Sequence, residues 1–79
     1  MAVPVPLRPD YDSASLRFLA RRSKDADQTR RLLALAVIYD GSSRSEAAKL
    51  GGVGLQVVRD WVLAFNTLGP DGLIGKHAA

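Results

Sequence analysis

A chain of 79 residues without cysteine is confined to one small core. A domain this short buries only about 60% of the surface its unfolded chain exposes, and neither a disulfide framework nor a thiolate metal site is open to it. Eleven alanines against seven valines and two isoleucines, in a chain rich in Leu and Arg, favour helix over strand, so an all-α domain is expected. Eleven Lys and Arg against eight Asp and Glu leave a net charge of +3, compatible with a nucleic-acid partner. The surplus lies in residues 1–36, with seven bases and four acids, whereas residues 37–79 carry four of each.

Pro4, Pro6 and Pro9 predict an extended, polyproline-like arm over residues 1–11. Met1 to Pro9 has neither a basic segment ahead of its apolar residues nor a cleavage-like site, so a secretory signal is not expected. No apolar run approaches the roughly 18 residues of a membrane span. A cytoplasmic setting is the expectation.

Asp12 or Ser13 can cap a first helix carrying Leu16, Leu19 and Ala20 on one side, with Arg17, Arg21 and Arg22 on or beside the other. A second helix is predicted from about Ala26 to Tyr39, striped by Leu32, Leu35, Ala36 and Tyr39, with Gly41 as its left-handed stop. Ser43-Arg44-Ser45-Glu46 matches a capping box and opens a short third helix to about Leu50, ended by Gly51-Gly52. A fourth helix from about Gly54 to Thr67 carries Val58, Trp61, Val62 and Phe65 at i, i+3, i+4 and i+7. Gly69-Pro70-Asp71-Gly72 turns the chain. The helical domain is thus expected over 12–68, and a turn with a short flexible tail over 69–79.

The last two helices, joined by a glycine-containing turn, have the layout of a helix-turn-helix. In that register Ala48 permits a close crossing, Gly52 makes the turn, and Val53, Val58, Trp61 and Phe65 lock the last helix to the core. Alanine followed by glycine four residues later also occurs in other helical hairpins, so this pattern alone leaves a plain hairpin open.

From Arg31 through Leu73 the chain resembles the N-terminal DNA-binding region of bacterial insertion-sequence transposases, in particular the IS-six-thirty group of the Tc/mariner superfamily. The matching residues are the leucine-rich helix ending in Tyr39-Asp40-Gly41, the capped Ser-x-x-Glu-Ala-Ala helix, the Gly52-Val53 turn, Val58-Arg59-Asp60-Trp61 and the exit Gly69-Pro70-Asp71-Gly72-Leu73. With the upstream Leu16-to-Arg22 helix the likeness covers roughly residues 12–75. It implies a homeodomain-like or winged bundle of about four helices that binds the terminal inverted repeats of its element. Two positions depart from the pattern. Gly54 stands where a hydroxyl N-cap is usual, a loss of about a few tenths of a kcal/mol, and Arg59, beside Asp60, is the one base on the last helix. Family members continue into a ribonuclease-H-like domain whose three carboxylates hold two metal ions. No such sheet fits in 79 residues, so the chain is expected to be no enzyme by itself: a truncated relic, a separately expressed first reading frame or an excised piece.

In the helix-turn-helix register Leu55, Gln56 and Arg59 face the major groove. Gln56 can pair bidentately with adenine and Arg59 with guanine, each worth about 1–3 kcal/mol of discrimination. The alternative is that both are solvated, with Arg59 paired to Asp60. Leu55 and Val57 either touch thymine methyl groups or form a protein-interaction patch. Ser43, Arg44, Lys49, Arg30 and Arg31 are candidates for phosphate contacts, as are Arg21 and Arg22. Arg8 either enters a minor groove or belongs to a disordered arm. Trp61 and Tyr39 read as core, with the Tyr39 hydroxyl at the rim. His77 is the single histidine, so no metal site or catalytic triad is expected, nor any cofactor. The expected partner is double-stranded DNA. The rival reading is an oligomerisation or protein-interaction module built on Leu55, Val57 and a Leu33/Val37 edge, and a small transcriptional regulator is a further use of the same motif.

Overall fold

The computed structural model describes residues 5–75, and among them it shows four α-helices, a closing 3-10 helix and no strand. They are α1 (Ser13–Arg22), α2 (Ala26–Tyr39), α3 (Arg44–Gly51), α4 (Leu55–Leu68) and the 3-10 helix Gly69–Leu73. The expectation of an all-α helix-turn-helix bundle is met.

Local chemistry accounts for the ends of the helices. Asp12 caps α1 in a reciprocal capping box: its carboxylate accepts the Ser15 N–H, and the Ser15 hydroxyl receives the Asp12 N–H. Asp25 caps α2 by accepting the Gln28 N–H. Ser43 caps α3 by accepting the Glu46 N–H. The reciprocal half of the predicted box is not formed there, because the Glu46 carboxylate instead lies 3.9 Å from the Lys49 ammonium. α2 and α3 stop in the same way. The Gly41 N–H reaches the Ile38 carbonyl and the Ser42 N–H the Val37 carbonyl; Gly52 and Val53 repeat this toward Lys49 and Ala48. Both are Schellman stops, which require a left-handed residue, and Gly41 and Gly52 supply it at φ of 100° and 68°.

α2 is the centre of the molecule. Leu32, Ala34, Leu35 and Ala36 are all fully buried, an arc too wide for a surface helix, because α1, α3 and the 3-10 helix pack around it. Leu16 and Ala20 of α1, Ala47 and Ala48 of α3, and the predicted stripe Val58, Trp61, Val62 and Phe65 of α4 close the same core. Fully burying a side chain such as Phe65 or Leu16 is worth about 1.5–3 kcal/mol.

Both ends of the described chain differ from expectation. The described part of the arm is not a free tail. Val5, Leu7 and Tyr11 pack against the core, and the Tyr11 ring meets Phe65 edge-on at 5.1 Å. The Asn66 side chain grips the arm backbone, accepting the Arg8 N–H and donating to the Pro6 carbonyl, each at 2.9 Å. At the other end Gly69–Leu73 is helical and Leu73 is buried. It is tied to the start of α2 by a hydrogen bond from Gln28 Nε2 to the Pro70 carbonyl and another from the Gly75 N–H to Asp25. Pro4, Lys76 and His77 lie outside the described residues.

Candidate nucleic-acid interface

α3 and α4 meet through a turn of Gly52, Val53 and Gly54. Gly52 takes the left-handed angle assigned to it, and Val53, partly buried, packs on the core. A close approach, however, also occurs at Gly51, which the sequence marked only as part of the stop of α3. A methyl group there would lie 2.8 Å from the Trp61 ring, below any real carbon–carbon contact. Two adjacent glycines thus divide the work, one admitting the Trp61 ring and the next reversing the chain. Ala48 of α3 is buried in the core. Gly54 caps α4 with no side-chain hydrogen bond.

With α4 held by Val58, Trp61, Val62 and Phe65, the opposite side at 3.6 residues per turn consists of Gln56, Asp60, Leu63 and Thr67, all exposed. Arg59 flanks that side and is exposed, and Leu55, one turn ahead of Val58, is exposed too, at 56%. Arg59 does not pair with Asp60. The Asp60 carboxylate instead accepts from Gln56 Nε2 at 3.3 Å, and among the described residues no carboxylate lies in ion-pair range of Arg59. The guanidinium fork is therefore open to a ligand, whereas Gln56 must give up a long hydrogen bond to meet a base.

The phosphate candidates divide. Ser43 uses its hydroxyl on the α3 cap and sits exposed at the N-terminal end of that helix, where N–H groups and the helix dipole favour an anion. Lys49 is 79% exposed and held only loosely by Glu46. Arg44 is engaged, donating to the Val5 carbonyl at 2.6 Å. Arg30 pairs with Asp27 at 2.9 Å on its own helix. Arg31 turns inward, with its guanidinium 5.4 Å from the centre of the Trp61 ring and Nη1 directed at the Leu73 carbonyl. Its Nε is buried and has no hydrogen-bond partner among the described residues. Arg8 fits neither of its two expectations. A two-pronged contact holds it on Asp10, at 2.8 and 3.0 Å, and this pair lowers the Asp10 carboxyl below the ordinary range. The Tyr39 hydroxyl donates to the Arg8 carbonyl, and burial raises its pKa.

Of the residues named for the rival reading, Leu55, Val57 and Leu33 are exposed. Val37 is the exception, partly buried against the core. Leu50, at the end of α3, joins Leu55 as an exposed leucine beside the turn.

Residues 31–79 match the family described as winged helix-turn helix. The match opens within α2 and takes in α3, α4 and the 3-10 helix, leaving the arm, α1 and the first residues of α2 outside. The chain is also similar to a protein of Sinorhizobium fredii described as "Uncharacterized protein y4pG/y4sC", 63% identical over 78 residues, which is 99% of this chain and 41% of that relative. It therefore spans less than half of the relative's length. No solved structure matches it. No helix among the described residues is long and apolar enough to cross a membrane. With its two capped helices, its glycine turn and the matching residues, the chain belongs to the winged helix-turn-helix family, a membership that supports DNA binding.

Proposed function

We propose that the chain reads duplex DNA sequence-specifically with the exposed side of α4, as the DNA-recognition part of a transposase that acts on the terminal inverted repeats of its element. The observation that carries this reading is Arg59, exposed and free of an acidic partner among the described residues. It stands on the first turns of a helix whose other side is locked into the core. The first turns of the second helix are the part that enters the major groove in this motif. Arg59 takes guanine O6 and N7, Leu55 a thymine methyl, and Gln56 an adenine once released from Asp60. Ser43 with the α3 N-terminus, together with Lys49, takes phosphates, and Arg44 joins them on leaving the Val5 carbonyl. The transposase assignment rests on the resemblance of residues 31–73 and on the family match. Strand transfer falls to a separate catalytic domain, and the setting is the bacterial nucleoid.

Selection of bound duplexes from a random pool, followed by binding of the winner to variants, tests the reading. Arg59→Ala should cost about 1–3 kcal/mol and relax preference at one base pair. Lys49→Ala should weaken all sequences about equally and lower the salt slope by about 1. No enriched motif, or two variants that bind like the parent, overturns the docking face. The exposure of Leu50 and Leu55 on either side of the turn favours a second reading, a contact with another copy or with a protein partner in place of DNA. Sedimentation showing a dimer that Leu55→Ser dissolves would support it.

A further inference from the structure

Ten of the eleven bases lie within the described residues, and most are already occupied. Arg8, Arg17 and Arg30 are ion-paired at 2.6 to 2.9 Å, and Lys49 lies 3.9 Å from Glu46. Arg44 binds a backbone carbonyl and Arg31 stacks on Trp61. Four remain with no carboxylate in range among the described residues: Arg59, and then Arg21, Arg22 and Lys24, which fall within four consecutive positions where α1 turns into α2. The acid that follows them, Asp25, is committed elsewhere, accepting the N–H groups of Gln28 and Gly75. Beside them Phe18 is 51% exposed. The Arg22 guanidinium, one turn further along α1, lies over its ring at 5.4 Å. An exposed phenylalanine that carries a stacked guanidinium holds that plane in place while leaving its N–H groups free to donate. The α1 dipole accounts for cations in the last helical turn, but its field fades within that turn. Lys24 stands beyond the Ser23 cap, so the dipole leaves the full triplet unexplained.

We infer that this α1–α2 corner is a second, sequence-independent contact for DNA phosphates, flanking the bases read by α4. The inference rests on the DNA-reading role proposed above. The corner lies at the end of the molecule where α4 finishes, since the start of α2 is bonded to Pro70 and Gly75, whereas Arg59 and Gln56 lie toward its beginning. A 14-residue helix rises about 21 Å, so the two surfaces meet different stretches of backbone.

The test uses the full chain and a duplex selected by it, comparing the parent with the triple variant Arg21→Gln, Arg22→Gln, Lys24→Gln. All three side chains are exposed, and the thermal midpoint of the variant should stay within a few degrees of the parent. The expected result is a salt slope smaller by about 2–3 with unchanged base preference, because each lost phosphate contact removes about 0.9 from the slope. Phe18→Ala, which keeps every charge, should weaken binding several-fold with the slope retained. Trimming the duplex on one flank should bring the parent down to the triple variant. If the parent binds selectively and the triple variant keeps its full slope, the corner is not a phosphate contact, although the α4 reading stands. If the parent binds no duplex at any salt, both fail together.

Discussion

Gly51 and Gly52 are adjacent, chemically identical, and constrained by different physics. At Gly52 space is open but φ is 68°, so alanine meets only the left-handed penalty of about 1–2 kcal/mol. At Gly51 the backbone is helical, but the added methyl would overlap the Trp61 ring, an overpacking cost of about 1–3 kcal/mol or more in a core that cannot move away. Gly52→Ala should therefore lower the denaturation midpoint modestly. Gly51→Ala should lower it at least as much and also move the Trp61 fluorescence, because the indole itself is displaced; an unchanged Trp61 signal would count against this packing. The sequence showed that glycine was needed in the turn. It could not show which glycine faced the indole, since that depends on the crossing of two helices.

Among the elements, the arm departs furthest from its sequence reading. A segment outside the helices carries backbone polar groups that need partners, and here Asn66 and Tyr39 provide them. Asn66→Ala removes the protein partner of the half-buried Arg8 N–H and of the exposed Pro6 carbonyl, at a cost of about 0.5–1.5 kcal/mol. For a domain of this length that amounts to a fall of about 4–8 °C per kcal/mol in the thermal midpoint. Removing residues 1–9 should produce a comparable fall, and no change in either variant would mean that the arm is not bound in solution. The donors to the arm come from residues far away in sequence, so no local pattern announces them. Helix ends were more legible because caps act within four residues: Asp12, Ser43, Gly41 and Gly52 all sit where the sequence suggested.

Across the whole molecule, the paired and capping carboxylates make stability depend on acid. Asp12 and Asp25 titrate low because backbone N–H groups bond to their ionised forms, and Asp10 and Asp40 because Arg8 and Arg17 do the same. The folded state therefore holds fewer protons than the unfolded one over this range. The contribution is complete above the unfolded carboxylate value of about 3.9 and drains away as pH falls through the lower folded values. Tyr39 acts in the opposite direction, since its raised pKa makes stability fall as pH rises past about 10. Thermal midpoints measured against pH should show both shoulders. Asp25→Asn should flatten the acid one and Tyr39→Phe the alkaline one; parallel curves for parent and variants would reject these assignments.

The sequence alone determined the helix boundaries, the core stripe of α4 and the place of the turn, because periodicity and capping are set by neighbours a few residues apart. It also located the positive charge in the first half of the chain. It did not determine which of those charges are free. Arg8 and Arg30 have an acid two or three residues away, but Arg17 and Arg31 look on paper like Arg21 and Arg22, and only folding brings Asp40 and Trp61 to them. The availability of such charges depends on contacts made across the tertiary structure, which no local pattern in the sequence announces.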